Sequence, residues 1–162
     1  MNLIASISLI PDRPIIGWEY SDDYVDGVIF SHYIDNMNYP LSVTHDIIDG
    51  ASFHKASGSN EKRKKIAVPE CYENQGVIED FVPKGYPEYN PVEQLFGWLK
   101  GYLRTNALKW NNGIWTKESI RVALDEAKSK VTHEMVKGWY RNTFSHMHPD
   151  KLVPLYLKAQ DE

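Results

Sequence analysis

Residues 90–103 read NPVEQLFGWLKGYL, and this stretch separates a strand-rich first half of the chain from a helical second half. Apolar side chains stand at positions 92, 95, 96, 99 and 103, the spacing of one buried helix face. Asn90 and Pro91 are typical of a helix start, and proline is favoured at the first helical position. Glu93 then falls in the first turn, where a glutamate can reach back as a capping-box acceptor. The stretch therefore predicts an amphipathic helix with a carboxylate near its beginning.

A second stripe of the same helix carries the polar residues. Glu93, Gly97, Lys100 and Arg104 recur at helical spacing, so they share a face that differs from the apolar one. A metal-binding acid beside phosphate-binding cations would have this pattern. An ordinary solvated face of a surface helix would have it too, and the pattern favours neither interpretation.

Upstream of this helix the sequence alternates between strand-like and helix-like segments. The segment NLIASISL alternates apolar and mostly polar residues, which is the period of a half-buried strand. The predicted strands cover residues 2–9, 15–20, 41–49 and 76–83, and the predicted helices cover residues 28–37, 70–75, 116–131 and 132–144. The helix over 70–75 is expected to be interrupted by Pro69, and Thr116 is expected to cap the helix that follows it. This order predicts an α/β or α+β domain with a mixed sheet and C-terminal helices.

Asp49 is a second candidate acid, because it ends a strand-like run and is followed by Gly50. The carboxyl ends of strands open into the crevice where α/β sheets bind ligands. The alternative is a turn aspartate that bonds to its own backbone. If Asp49 and Glu93 converge, they would suit Mg²⁺, which prefers oxygen ligands and often uses one or two carboxylates plus substrate phosphates. His54 lies near Asp49, although a lone histidine is more often a structural hydrogen-bonding group than a ligand.

Composition limits the classes of protein that this chain can represent. Its 162 residues suit one domain, and 42% apolar residues are enough for a core. The single cysteine, Cys71, excludes an internal disulfide framework and a cysteine zinc site, and it points to a reducing, cytoplasmic compartment. No apolar run is long enough to span a membrane. A net charge of −4 argues against a chain coated in positive charge but permits a local nucleic-acid patch.

Two blocks of the sequence resemble a known family. FVPKGYPEYNPVEQLFGWLK (residues 81–100) resembles the signature around the last catalytic acid of DDE transposases, in particular the mariner-like superfamily and its bacterial insertion-sequence relatives. IIDGASFHKAS (residues 47–57) is similar to the second-aspartate motif of the same family. The resemblance extends from the N-terminus to about Leu103, with the blocks in the family's order.

The resemblance implies a fold, a chemistry and a set of residues. The fold would be RNase H-like, with residues 1–108 as a partial catalytic domain and residues 109–162 as its helical extension. The chemistry would be divalent-metal cleavage and transfer of DNA strands, with Mg²⁺ or Mn²⁺ in a two-metal site. The implied residues are Asp49 and Glu93 as catalytic and metal-binding acids, Lys84, Lys100 and Arg104 against DNA, and His54 as an accessory group.

The chain also departs from the family pattern. The family's first aspartate, on the first, central strand of the sheet, has no counterpart, and Gly50 replaces the usual asparagine. We therefore expect a truncated domain that is inactive alone. Its expected partners are DNA and the missing N-terminal segment or a second transposase copy. The alternatives are a non-catalytic remnant that acts as an interaction module, and another RNase H-like nuclease.

Overall fold

The computed structural model describes residues 1–49, 67–82, 86–110 and 114–145. The predictions for His54 and Lys84 therefore lie outside the described residues. The helices and strands confirm an α/β architecture, in the order β1 (Asn2–Ile7), β2 (Ile15–Ser21), α1 (Gly27–Asn36), β3 (His45–Ile48), α2 (Val68–Gln75), β4 (Ile78–Phe81), α3 (Val92–Thr105), α4 (Lys117–Lys128) and α5 (His133–Ser145).

Strands β1 and β2 form the antiparallel hairpin that the alternating pattern predicts. Their register pairs Leu3 with Tyr20 and Ala5 with Trp18, and a bulge falls between Ser6 and Ile7. The connection is a tight turn in which the amide of Arg13 donates to a carbonyl three residues earlier at 3.1 Å. A proline-containing turn of this kind is what the sequence predicts between the two strands.

Strand β3 pairs in parallel with β4, and it is shorter than predicted. The expected strand over residues 41–49 begins only at His45. The residues before it form a turn, in which the amide of Val43 donates to the carbonyl of Pro40 at 2.8 Å, and Leu41 is fully exposed. The β-branched residues in this stretch therefore predicted a strand that is too long, because a local turn forms there in place of strand pairing.

Helix α2 corrects the interpretation of Pro69. This proline occupies the first turn of the helix rather than interrupting it. A missing amide proton costs nothing in the first turn, since the amides there have no partner within the helix. The helix ends at Gly76, whose φ of 66° places it in the left-handed conformation that glycine adopts without strain.

The described residues form three apolar clusters, of which two are large and the third contains only Val82 and Tyr89 as buried members. The first joins α1, β3 and α2, and its buried members are Phe30, Tyr33, Ile34, Met37, Ile48, Val68, Cys71, Tyr72 and Val77. The second joins the hairpin to the C-terminal helices, and its buried members are Ile7, Leu95, Leu99, Leu124, Ala127, Val131 and Val136. Helices α4 and α5 therefore pack against the same core as α3. Thr116 caps α4 through a reciprocal capping box with Ser119, as its position before the helix predicts.

The described strands do not form one sheet. Strands β1 and β2 make one two-stranded sheet, and β3 and β4 make another. The single mixed sheet expected from the sequence is therefore not present among residues 1–49, 67–82, 86–110 and 114–145. A cavity separates the two sheets, lined by residues of both β1 and β3.

No helix in the described part of the chain is both long and apolar enough to cross a bilayer.

Candidate functional site

Asp49 and Glu93 line the same cavity, which has a volume of about 300 Å³. Its walls are β1, the end of β3, the beginning of α3 and one face of α1. The two acids come from separate elements, one directly after a strand and one in the first turn of a helix. The structure thus places the two residues that the sequence singled out on the wall of one cavity.

The position of Asp49 is fixed by the pairing of β3 with β4. Ile48, the residue before it, is buried and lies opposite Phe81 in the parallel register. The carbonyl of Ile48 accepts a hydrogen bond from the amide of Val82 at 2.9 Å. At the other end of the strand, His45 and Asp80 approach to 2.7 Å. Strand β3 is therefore held to β4 near both of its ends, and Asp49 is half-buried on the cavity wall.

Asp46 is a further acid on the cavity wall, and sequence reasoning missed its role. Its carboxylate accepts hydrogen bonds from the hydroxyls of Tyr39 at 2.5 Å and Tyr72 at 2.9 Å. Burial, reinforced by this carboxylate, raises the pKa of both tyrosines well above the usual range, so they remain neutral donors. Asp46 therefore anchors β3 to α2. The available signal was an acid inside a strand-like run, where burial requires a partner.

The local structure around Glu93 contradicts its interpretation as a capping-box acceptor. The side-chain oxygen of Asn90 accepts from the amide of Val92 at 3.2 Å, and Pro91, which lies between them, is the N-cap residue of α3. The amide of Asn90, which a capping box would direct at Glu93, instead donates to the carbonyl of Pro87 at 2.8 Å. Within the described chain Glu93 is exposed and has no side-chain hydrogen bond or ion pair. Its carboxylate is therefore available to a ligand.

The polar stripe of α3 is exposed along its length. Glu93, Gly97, Lys100 and Arg104 all face solvent, whereas Leu95 on the other face is fully buried. A side chain added at Gly97 would meet no atom within 4 Å, so the surface between the acid and the cations is open. Neither cation forms an ion pair with any of the described acids. The stripe therefore carries two exposed cations on the helix face that begins with Glu93.

Two carboxylates line the cavity, and the described residues add no complete metal-binding cluster. No group of three histidine, cysteine or acidic side chains among them could together hold an ion. A pair of carboxylates still matches Mg²⁺, which is commonly bound by one or two carboxylates together with phosphate oxygens and water. The donor set is thus compatible with a magnesium ion shared with a phosphate substrate.

Comparison of the chain with family models, curated proteins and solved structures gave no match.

Proposed function

We propose that the chain acts on DNA as part of a DDE transposase catalytic domain, with Asp49 and Glu93 as its metal-binding acids. The observation that carries this proposal is the cavity lined by both carboxylates. The proposal is supported by the local setting of the acids, one directly after a strand and one in the first turn of a later helix. The RNase H-like fold is itself part of the proposal.

Each residue of the site has a definite role in this proposal. Asp49 and Glu93 would hold a divalent ion, because carboxylate oxygens are ligands that Mg²⁺ prefers. When bound, the ion would supply activation of the attacking oxygen and stabilisation of the leaving oxygen of a phosphodiester. Lys100 and Arg104 lie further along the exposed face of α3, where they would contact DNA phosphates.

Metal titration tests the proposal. We expect calorimetric titration to show that the chain binds Mn²⁺. Asp49→Asn or Glu93→Gln should weaken that binding by about tenfold or more, because even substitutions outside the direct ligands of a metal lower its affinity that much. Glu118→Gln is the matched control, since Glu118 also lies in the first turn of a helix, α4, but outside the cavity. Equal Mn²⁺ affinity in all four proteins would exclude a metal site at these acids.

DNA cleavage tests the expectation that the chain is inactive alone. Two carboxylates neutralise less charge and constrain a metal pair less than three would, so we expect no nicking of supercoiled DNA with Mg²⁺ or Mn²⁺. Efficient nicking by the wild-type chain, lost in Glu93→Gln, would show that two acids suffice.

An interaction module is the second candidate function. The observation in its favour is that the described residues contain no group of three metal-ligating side chains. This candidate predicts that the chain binds Mn²⁺ no better than the Asp49→Asn and Glu93→Gln variants do, so the same titration separates the two functions.

A further inference from the structure

Asn90 is a buried polar residue on the cavity wall, just before the start of α3. It is 8% exposed, and it lines the cavity together with Glu93. Its backbone carbonyl accepts a hydrogen bond from the amide of Glu93 at 3.1 Å, so the two residues are neighbours in space. The proposed metal site gives the side chain of Asn90 no role. Buried polar atoms in proteins normally have partners, so the hydrogen bonds of this residue can be accounted for one by one.

Three of the four polar atoms of Asn90 are used inside the chain. Its backbone nitrogen donates to the carbonyl of Pro87 at 2.8 Å, and its carbonyl accepts from Glu93. Its side-chain oxygen accepts from the amide of Val92 at 3.2 Å. That bond fixes the orientation of the side-chain amide, because only its oxygen can accept. The side-chain nitrogen, which carries two N–H donors, forms no hydrogen bond with any residue that the structure describes.

The unused nitrogen of Asn90 is open to the cavity. It is not one of the described side-chain atoms that are sealed from solvent without a partner, and the cavity is the opening that Asn90 lines. Asn2 is the other amide side chain on this wall, and its nitrogen already donates to the carbonyl of Asp23 at 2.7 Å. Asn90 therefore presents uncharged donors to an occupant of the cavity.

The charges on the wall indicate which acceptor these donors would meet. The described lining residues include acids but no lysine or arginine. An anion would be repelled by these acids unless a divalent ion lay between them. Mg²⁺ is commonly held by one or two carboxylates together with phosphate oxygens. A phosphate has more than one free oxygen, so one can bind the ion while another accepts a hydrogen bond. Bonds to charged oxygens are also stronger than bonds to neutral ones.

We propose that Asn90 binds substrate phosphate, with its side-chain nitrogen donating to an oxygen of a nucleotide phosphate that the ion at Asp49 and Glu93 also binds. The inference rests on the proposed function and adds a substrate-binding residue to the same site. The hydrogen bond from Val92 holds the side chain in place before the phosphate arrives. Less side-chain freedom is therefore lost on binding than with a mobile donor.

Calorimetric titration of the full chain with thymidine 5′-monophosphate, in the presence of Mg²⁺, tests this proposal. Asn90→Asp keeps the shape of the side chain and an oxygen for the amide of Val92, but it removes the donors. Asn90→Ser also keeps an oxygen and lacks the amide, without adding charge. We expect each variant to weaken nucleotide binding by about tenfold or more, the usual effect of losing a hydrogen bond to a charged group. Asn142→Asp is the matched control for added charge, because Asn142 is exposed on α5 outside the cavity, and it should bind as the wild type does.

NMR signals of the side-chain NH₂ group of Asn90 give a second readout, which a merely structural residue would not change. We expect these signals to shift when the nucleotide is added to the wild-type chain with Mg²⁺. Unshifted signals, or nucleotide binding by Asn90→Asp equal to that of the wild type, would overturn the proposal. Binding of inorganic phosphate but not of the nucleotide would overturn it too, because the donors would then serve free phosphate. Failure of the proposed function is distinguishable, since it appears as absent Mn²⁺ binding in the wild type, and neither Asn90 variant should lower Mn²⁺ affinity.

Discussion

Replacing Gly17 with alanine tests the packing that holds α1 against the hairpin. Gly17 is in β2, and a Cβ atom added there would lie 2.7 Å from Cζ of Tyr33, with the hydroxyl oxygen closer still. Tyr33 is only 3% exposed, and its hydroxyl donates to Ser6 on β1 at 2.7 Å. Displacing the ring would incur an overpacking penalty of about 1–3 kcal/mol. Loss of the hydrogen bond adds about 1 kcal/mol. Alanine recovers about 0.5–1 kcal/mol of backbone entropy relative to glycine. The net expected loss is about 2 kcal/mol in the free energy of unfolding.

Urea unfolding followed by tryptophan fluorescence measures this loss. Gly101→Ala is the matched control, because a Cβ there meets no atom within 4 Å and the residue lies in helix α3, so we expect it to stabilise the chain by about 0.5–1 kcal/mol. In a Tyr33→Phe background the closest atom is gone, and the penalty of Gly17→Ala should fall by about 1 kcal/mol. If Gly17→Ala proves as stable as the wild type, Tyr33 does not pack over Gly17 as described. The position given to Tyr33 in the cavity wall would then be incorrect.

Three further predictions concern the helices and the corrected strand. Hydrogen bonds, of which the one from Lys109 has the largest effect, lower the pKa of Glu126 from its usual 4.5 to about 2. The stability that the ionised Glu126 contributes is therefore present above about pH 4.5 and is lost as the pH falls toward 2. The stability difference between wild type and Glu126→Gln should therefore shrink over that range in acid titrations, and should also shrink with added salt. Thr116→Ala removes the cap of α4 and should lower the free energy of unfolding by about 1 kcal/mol, whereas no change would mean that the cap is not formed in solution. Leu41→Ser should change that free energy by less than about 0.5 kcal/mol in urea, because Leu41 is fully exposed; a larger loss would place it in a strand after all.

Local patterns in the sequence predicted the elements that local chemistry determines. The apolar spacing after Asn90 gave the buried face of α3, with Leu95 and Leu99 inside and Glu93 outside. The hairpin followed from alternation around a proline turn, and Thr116 marked the start of α4. Each of these features depends on contacts between residues close in the chain, so its signal is contained in a short window.

Features set by distant contacts were not predictable in this way. Asp46 is an anchor because Tyr39 and Tyr72, from different parts of the chain, direct their hydroxyls at it. The division into two small sheets depends on which strands find partners, and alternation within a strand does not specify its neighbour. Asp49 and Glu93 come from elements far apart in the chain, so only the tertiary arrangement of β1, β3 and α3 around the cavity could place both on its wall.

Paramagnetic broadening by Mn²⁺ in NMR spectra tests the central claim most directly, namely that one ion is shared by Asp49 and Glu93. We predict that the amide signals of both residues broaden together at the same Mn²⁺ concentration, and that Glu93→Gln abolishes the broadening at Asp49. Broadening at only one of the two acids, or broadening at Asp49 that persists in Glu93→Gln, would contradict the account.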